Sequence, residues 1–442
     1  MGFKIGKKIR AVIRRDKEVM LTTTKGEHPL VSVSGDGDYI TDIEGNRFLD
    51  FATFISVYNF GVNSSKEVRN AVKAQIDKLM HAAFTDFYAE LPVTFSENLV
   101  KMFPKGFGRV FFSNSGSEAN EAAIKFSRIF TKKQYILAFY NSFHGRTLGS
   151  LSLTSSKLAQ REHFGPFNSA IHVPYAYCYR CPFGKEYPSC GIECVDYIRK
   201  YPLSKEVSPK EVAAIFMEPI QGEGGYIVPP KEFVKGIREI ASDNGFLMVA
   251  DEVQSGYFRA GKFLALDNFG VEADMYTMAK AAGAGLPIGI TVTRKSLGDT
   301  PPGAHSNTFG GNLVSVAAAN ELLNYIQKNK SKLESDAKTK GAYIMKRLNK
   351  MKDSYEIIGD VRGMGMMIGV EFVRDRKSKE PAAKERNKIM EECFNNFLVL
   401  LPSGVSTIRI IPPITMSMAN IEKGMDVIDG SISKINRQLK VG

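Results

Sequence analysis

The sequence has 442 residues, of which 43% are hydrophobic and 24% charged, the balance of an ordinary globular protein. Its formal net charge is +12, but the basic residues are spread along the chain in no helix-turn-helix, RNA-binding or zinc-finger pattern, so we expect no nucleic acid partner. No apolar run approaches the roughly 20 residues of a membrane helix, and none follows the basic start, so we expect a cytoplasmic protein without a membrane contact.

The first predicted elements form a short, turn-rich segment. The stretch LVSVSGDGDYITDIEGNRFLDF has turn signals at GDGD and EGN, which is typical of hairpin-like strands. Residues 1–65 are therefore predicted to form the first part of a small domain.

Strands alternate with helices from residue 66 to residue 330, which we predict to be one large domain. A helix, NSGSEANEAAIKFSRIF, follows the first apolar strand, and another helix over 232–245 ends at a glycine. This alternation predicts a parallel sheet covered by helices on both faces. The predicted strands are 109–113, 134–141, 212–220 and 246–253.

The last part of the chain changes character again. A long helical stretch, NELLNYIQKNKSKLESDAKTKGAYIMKRLNKM, is followed by two shorter strand candidates, GMMIGVEFV and TIRIIPP. Residues 331–442 are predicted to join residues 1–65 in a smaller α+β domain.

Four of the five cysteines lie in one stretch, YCYRCPFGKEYPSCGIEC, as Cys178, Cys181, Cys190 and Cys194. The C-x2-C opening resembles a metal knuckle or a redox pair, whereas the closing C-x3-C and the short loop fit a zinc ribbon poorly. A structural zinc site, a disulfide and free thiols all remain open, and we predict no catalytic metal.

Several chemically capable residues follow the predicted strands, where ligands of parallel sheets gather. After the first strand, Ser115 and Glu118 have the spacing of a capping box, and Gly116 permits close approach of a ligand to the backbone. A helix that begins here offers N–H groups to an anion, although many ordinary helices begin the same way.

The second strand is followed by NSFHGRT, which contains Phe143, His144 and Arg146. The two rings offer aromatic faces for a ligand, with a buried stacking pair as the alternative. Arginine favours bidentate recognition of carboxylate or phosphate, so Arg146 is a candidate for anion binding.

Asp251 and Lys280 are the most informative residues. Asp251 follows the apolar run FLMVA, and a carboxylate at a buried strand end needs a positive partner or a metal, unless it merely caps the turn. Lys280, in TMAKAAGAGLPIG, is the only ionisable side chain from Thr277 to Ile290. A lysine in such surroundings is easily held as the neutral, nucleophilic amine.

These motifs together resemble the class III pyridoxal-phosphate aminotransferases, the ω-aminotransferase group that includes 4-aminobutyrate, ornithine and acetylornithine aminotransferases. The resemblance implies an α/β fold of the aspartate-aminotransferase type, in which a large domain holds a mostly parallel seven-stranded sheet and both chain ends build a smaller α+β domain. It also implies a homodimer, or a dimer of dimers, with sites at the subunit interface. The motifs are FFSNSGSEANEAAIKFSR, YNSFHGRTLGSLSLT, EPIQGEGGYIVPP, VADEVQSGYFRAGKFLALDNFGVEADMYTMAKAAGAGLPIG and SNTFGGNLVSVAAAN.

The resemblance implies roles for the cofactor-binding residues. Lys280 would link covalently to the cofactor aldehyde and later move a proton, while Asp251 would pair with the ring nitrogen. The remaining implied contacts are the phosphate for Gly116 and Ser117, the pyridine ring for Phe143 with His144 beside it, the ring hydroxyl for Gln254, and the neighbouring subunit's phosphate for Thr308. The usual H-G-S-T of the family reads His305, Ser306, Asn307, Thr308 here.

The resemblance also implies a substrate site for an amine and a 2-oxo acid. Arg146 would hold a distal carboxylate, Arg409 the α-carboxylate, and Glu223 would pair with Arg409 when an ω-amine is bound. We therefore predict transamination between an ω-amino donor, with 4-aminobutyrate as the best guess, and 2-oxoglutarate. The alternatives are an ornithine or acetylornithine aminotransferase, a class III amino-acid racemase, and a non-enzymatic basic binding protein on the same fold.

Overall fold

The computed structural model describes residues 2–23, 26–63, 65–167 and 170–441. Contacts within the chain divide it into two compact units, one made of residues 1–64 and 335–442 and the other of residues 65–334. The assignment of the predicted domains to cofactor binding stays a prediction, because contacts define a unit without saying what it binds.

The elements are numbered in chain order. The helices are α1 (Lys7–Val19), α2 (Thr53–Ser56), α3 (Lys66–Lys78), α4 (Glu90–Val100), α5 (Gly116–Thr131), α6 (Leu148–Leu153), α7 (Glu193–Lys200), α8 (Lys231–Asn244), α9 (Leu313–Ser354), α10 (Ala383–Asn395) and α11 (Met418–Val441). The strands are β1 (Ser32–Asp36), β2 (Tyr39–Asp42), β3 (Arg47–Asp50), β4 (Phe107–Ser113), β5 (Tyr135–Phe139), β6 (Ala170–Val173), β7 (Val212–Met217), β8 (Leu247–Asp251), β9 (Met275–Met278), β10 (Gly289–Arg294), β11 (Ile358–Met364), β12 (Met367–Phe372), β13 (Leu398–Val399), β14 (Leu401–Ser403) and β15 (Thr407–Ile410).

The unit of residues 65–334 contains a seven-stranded sheet in the order β4-β10-β9-β8-β7-β5-β6. Strand β10 is antiparallel to both its neighbours, and the other pairings are parallel. The predicted mostly parallel seven-stranded sheet is therefore confirmed. Since β4 and β9 are both antiparallel to β10, the carboxyl ends of β4, β5, β7, β8 and β9 all lie at one edge of the sheet.

Burial explains why the central strands lack an alternating pattern. Every residue of β7 and β9 is buried, as expected for strands that helices cover on both faces. Helix α5 packs on this sheet through a face of small residues, because Ala119, Ala122, Ala123 and Phe126 follow the helical spacing and are all buried.

The unit of residues 1–64 and 335–442 contains two four-stranded sheets, β1-β2-β3-β13 and β11-β12-β15-β14. The predicted N-terminal hairpin is present as β1 and β2, and the two predicted late strands are β12 and β15. An unpredicted feature is α2, in which the four residues Thr53–Ser56 all have positive φ angles between 45° and 63°, a conformation that costs non-glycine residues free energy.

Three predicted strands extended too far at their carboxyl ends. Strand β5 ends at Phe139, before Asn141 adopts a φ of 65°, and β7 ends at Met217, two residues before Pro219. Strand β8 ends at Asp251 because Asp251 Oδ1 accepts a hydrogen bond from the N–H of Val253, which turns the chain.

Candidate active site

Among the predicted site residues between 65 and 334, all except Thr308 end or follow strands whose carboxyl ends share one edge of the sheet. Each of five strands contributes one short segment at this edge. Gly116 and Ser117 follow β4, Phe143, His144 and Arg146 follow β5, Glu223 follows β7, Asp251 and Gln254 end or follow β8, and Lys280 follows β9.

The start of α5 is a capped helix N-terminus, as the sequence predicts. The Ser115 hydroxyl accepts from the N–H of Glu118 at 3.2 Å, and the Glu118 carboxylate accepts from the N–H of Asn114 at 2.5 Å. Gly116 has no room for a side chain, because a Cβ there would lie 2.8 Å from Val253 Cγ1. The first-turn N–H groups, which a helix leaves without internal acceptors, point to an anion site.

Asp251 lies at the centre of a buried polar network. Its Oδ2 is 2.8 Å from both His144 Nδ1 and Asn120 Nδ2, and its side chain is only 4% exposed. Burial lowers the pKa of His144, but the hydrogen bond that the His144 ring donates to Asp251 and the charges of Asp251 and Glu218 outweigh burial, so the pKa is raised overall. Asp251 thus has a hydrogen-bond partner whose pKa it raises, and it also caps the turn through Oδ1.

Asn120 and Thr277 complete this network and were missed by the sequence analysis. Thr277 Oγ1 donates to Asn120 Oδ1 at 2.8 Å, and Asn120 Nδ2 also donates to the carbonyl of His144 at 2.7 Å. Both residues are buried. The available signal was a lone asparagine on the alanine-rich, buried face of α5.

Glu218 was also missed, although it follows the apolar strand VAAIFM as Asp251 follows FLMVA. One carboxylate oxygen accepts from the N–H of Phe143 and the other from the N–H of Gly222, each at 2.8 Å. Burial and the charge of Asp251 raise the pKa of Glu218 to about 7, against the opposing effects of His144 and the two N–H groups.

Lys280 occupies a strained position directly after β9. Its φ is 44°, in the left-handed region that non-glycine residues rarely adopt, and the residues that follow it, Ala281–Gly283, are buried. Such strain persists only where the surroundings impose it and is concentrated at functional sites. The backbone therefore gives independent support to the lysine that the sequence singles out.

The polar groups at this edge fit pyridoxal phosphate. Gln254 Oε1 is buried, and within the described residues it has no hydrogen-bond partner, as expected of an acceptor reserved for a ligand hydroxyl. A Cβ at Gly222 would collide with this oxygen, so Gly222 leaves room for the Gln254 side chain. The helix start fits a phosphate, the half-buried Phe143 offers a ring face, and the buried Asp251 offers a fixed negative charge.

Charged side chains lie on the more exposed side of the same edge. The Arg146 guanidinium is exposed, with its Cζ 5.5 Å from the centroid of the Phe143 ring, and its backbone N–H donates to the Ser117 hydroxyl at 3.1 Å. Glu223 Oε1 lies 2.5 Å from Lys157 Nζ, an ion pair that the sequence analysis did not predict.

Thr308 and Arg409 are not part of this set of contacts. Thr308 is exposed in the single chain and follows Asn307, which is hydrogen-bonded to Asn114 and to the carbonyl of Phe112. Arg409 belongs to the other unit, where it is 3% exposed on β15 and donates from Nε and Nη2 to the carbonyl of Pro402. Their predicted roles remain predictions.

The cysteine stretch forms neither a disulfide nor a metal site. All the cysteines have free thiols, and the described part of the chain contains no group of three or more histidine, cysteine, aspartate or glutamate side chains that could hold a metal ion. Burial raises the pKa of the Cys178 thiol to about 11 and that of Cys194 to about 12, so both are protonated at neutral pH.

No helix within the described ranges has both the length and the apolar character needed to cross a bilayer.

Comparisons with known proteins agree with this geometry. A family model described as Aminotransferase class-III matches residues 22–432. The chain is 39% identical over 408 residues to a leucine/methionine racemase of Thermococcus litoralis, covering 92% of this chain and 91% of that protein. It is 32% identical over 424 residues to a probable 4-aminobutyrate aminotransferase of Bacillus subtilis, covering 95% and 96%.

A solved structure shows the same fold with the cofactor in place. The taurine:2-oxoglutarate aminotransferase of Bifidobacterium kashiwanohense, in complex with pyridoxal phosphate and glutamate, superposes with a TM-score of 0.89 at 26% identity over 99% of each chain. The family match, the relatives and the polar groups described above lead to the same result. This chain belongs to the class III aminotransferases and is a pyridoxal-phosphate-dependent enzyme.

Proposed function

We propose that the protein transfers the amino group of an ω-amino donor, with 4-aminobutyrate as the best candidate, to 2-oxoglutarate in a ping-pong cycle. The observation that carries this proposal is the exposed Arg146 guanidinium beside the Phe143 ring. 4-Aminobutyrate has its carboxylate at the end of the chain opposite its amine, and a guanidinium beside the ring-stacking residue suits that carboxylate. The Bacillus subtilis relative, named a probable 4-aminobutyrate aminotransferase, supports the same donor.

The chain's own residues have separable tasks in this reaction. Bound pyridoxal phosphate supplies an electron sink for the carbon that carries the amine. Lys280 Nζ would move the proton from that carbon to the cofactor carbon, and Asp251 would hold a proton on the ring nitrogen. Phe143 fixes the plane of the ring, and the N-terminus of α5 binds the phosphate.

A second feature supports a substrate site that accepts both an ω-amine and glutamate. In this proposal Arg409 binds the α-carboxylate of glutamate, and Glu223 neutralises Arg409 when the donor has no α-carboxylate. A glutamate that changes partners needs a second cation, and Lys157 is such a cation at 2.5 Å from Glu223 Oε1.

The test is the rate of each half-reaction with 4-aminobutyrate, a diamine and glutamate. Arg146→Ala should slow the half-reaction with 4-aminobutyrate sharply and the half-reaction with the diamine little, because a diamine has no distal carboxylate. Glu223→Ala should slow donors that lack an α-carboxylate, at a cost of about 1–3 kcal/mol for an unsatisfied charged group, and should spare glutamate. Unchanged 4-aminobutyrate kinetics in Arg146→Ala would reject the proposed donor, and ornithine and acetylornithine would then be the next donors to measure.

Amino-acid racemisation is a second candidate, because the Thermococcus litoralis relative is named a leucine/methionine racemase. A racemase returns the proton to the same carbon and needs no amino acceptor. Chiral analysis of L-leucine and L-methionine after incubation without 2-oxoglutarate distinguishes the two activities. Accumulation of the D-isomers under those conditions would favour racemisation, whereas conversion that requires 2-oxoglutarate would favour transamination.

We also propose a cytoplasmic homodimer or dimer of dimers in which Thr308 reaches the phosphate of the neighbouring subunit. The exposure of Thr308 in the single chain supports this arrangement. Light scattering gives the oligomeric state. Thr308→Ala should weaken cofactor binding and leave the oligomeric state unchanged. A monomeric holoenzyme would contradict the proposal.

A further inference from the structure

Glu218 joins two loops that approach the cofactor site from different strands. Its Oε1 accepts from the N–H of Phe143, 75 residues away, and its Oε2 accepts from the N–H of Gly222, both at 2.8 Å. The side chain is buried, and the Glu218 carbonyl accepts from the hydroxyl of Tyr175 at 3.0 Å. Each carboxylate oxygen therefore accepts a hydrogen bond from a backbone N–H group of one of the two loops.

The two loops held by Glu218 carry groups with direct tasks at the cofactor. Phe143 offers the ring face, and Gly222 packs against Gln254 Oε1, the buried acceptor that fits the ring hydroxyl. A carboxylate with two anchored N–H groups thus sets the separation between the stacking ring and the Gln254 side chain.

Glu218 also acts on the charge of the Asp251 network. Burial lowers the pKa of His144, whereas its hydrogen bond to Asp251 Oδ2 at 2.8 Å, the charge of Asp251 and the charge of Glu218 in its ionised form raise it. The other titratable groups that face these two residues are His172, close enough for the charge of His144 to lower its pKa, and Tyr175, whose pKa rises through burial and the charge of Glu218. His144 is thus placed between two carboxylates.

We propose that Glu218 is a positioning residue that fixes the Phe143 and Gly222 loops around the cofactor. The inference rests on the family's cofactor and on these contacts, and it does not depend on which amine is the donor. Glu218 itself has no contact with the donor in this proposal.

Two substitutions separate the backbone hydrogen bonds of Glu218 from its charge. Glu218→Gln removes the charge and leaves one accepting oxygen, so one of the two N–H groups faces an NH2 donor. Glu218→Asp keeps the charge but is one methylene shorter and cannot reach both N–H groups. The matched control is Glu252→Gln, since Glu252 is equally buried and accepts from the N–H groups of Ala265 and Leu266 at 3.0 and 2.9 Å.

The measurements are the titration of the His144 ring by nitrogen NMR of the full chain without cofactor, the dissociation constant of pyridoxal phosphate, and the melting temperature. His144→Gln assigns the resonance. Glu218→Gln should lower the His144 midpoint and weaken cofactor binding about tenfold. Glu218→Asp should weaken cofactor binding about as much and leave the His144 midpoint near the wild-type value. Glu252→Gln should change neither cofactor binding nor the His144 midpoint.

Results that overturn the proposal are equally distinct. If both Glu218 variants lowered only the melting temperature, Glu218 would stabilise the fold without positioning the cofactor site. If Glu252→Gln weakened cofactor binding as much as Glu218→Gln does, the effect would be that of any buried amide. Wild-type affinity for pyridoxal phosphate in both Glu218 variants would overturn the proposal. Because Glu218→Asp retains the charge, it provides the test if Glu218→Gln does not fold.

Discussion

Two groups of polar side chains at the same sheet edge differ sharply in burial. The floor, which we define as Asn120, His144, Asp251 and Thr277, is buried, and its members are hydrogen-bonded to one another. The rim, defined as Arg146, Lys157 and Glu223, is half-buried or exposed, with side-chain exposures of 41% and 21% for the Lys157–Glu223 pair.

Because of this difference in burial, losing a partner costs a different amount of free energy in the floor and in the rim. A polar group of the floor that loses its partner stays buried and unsatisfied, which costs more than the hydrogen bond contributed. A charge of the rim can turn to water, and salt screens it. The floor is therefore suited to the proton chemistry common to a family, and the rim to the choice of donor.

Lys280→Ala should have the largest effect, because in the proposed mechanism it removes the group that links to the cofactor and moves the proton. We expect turnover to fall by about 10²- to 10⁴-fold or more. The covalent cofactor absorbance should disappear, and the melting temperature should change little because alanines already surround the site. Lys262→Ala, which removes a solvent-exposed ion pair with Glu334, is the control and should keep full turnover. Normal turnover in Lys280→Ala would reject the assignment.

Asp251→Asn should slow the chemical step next most strongly, by about 10²-fold or more. The amide keeps the size of the side chain but removes the charge that raises the pKa of His144 and that, in the proposed mechanism, holds a proton on the ring nitrogen. Single-turnover rates of the half-reaction give the measurement, with cofactor binding followed separately. Asp274→Asn is the control, because Asp274 accepts from the N–H of Met248 and from Arg238. Equal rates in Asp251→Asn and wild type would leave Asp251 with only its capping role.

The sequence singled out Asp251 and His144 of the floor as candidate site residues, but it did not predict the contacts between the floor residues. The strand before Asp251 required a buried carboxylate with a positive partner, but the spacing did not identify His144 as that partner, because their sequence positions are 107 residues apart. Asn120 and Thr277 were missed for the same reason, since they lie on α5 and β9 and meet only through the packing of helix on sheet.

Local backbone strain was the other unpredictable feature. The left-handed conformation of Thr53–Ser56 contradicts the preferences of its own residues, so only the surrounding structure can impose it. The positive φ of Lys280 is of the same kind. By contrast, the order of strands and helices and the capping box of α5 follow from local sequence signals, and the structure confirms them.

Buried carboxyls should make the protein without cofactor less stable as the pH rises. The pKa values of Glu218 and Glu252 are each raised to about 7 by burial, from an ordinary value of 4.5, so the folded state binds these protons more tightly than the unfolded state. Their stabilising contribution is complete below pH 4.5 and is lost as the pH rises through 7. His144, whose pKa is also raised, adds a change of the same sign above pH 6.5.

The size of this effect is up to about 3 kcal/mol for each glutamate. Urea unfolding of the cofactor-free protein at several pH values between 4.5 and 8 gives the measurement. Glu252→Gln should remove one glutamate's share of the slope, because a neutral amide does not titrate. A free energy of unfolding that rises over this range, after the effect of the exposed carboxylates is subtracted with a surface variant, would contradict the assigned direction.

Lys157→Ala should have the smallest effect on stability and the most selective effect on function. The pair with Glu223 is partly exposed, so its loss should change the free energy of unfolding by less than about 1 kcal/mol. If Glu223 uses Lys157 as its second partner, the ratio of the glutamate to the 4-aminobutyrate half-reaction rate should fall roughly two- to fivefold, and the difference should shrink in high salt. Lys185→Ala is the control, because it removes a similarly exposed pair with Glu193 from the cysteine stretch. An unchanged rate ratio would show that Lys157 only anchors the rim, and a loss of several kcal/mol would show that this pair behaves like the floor.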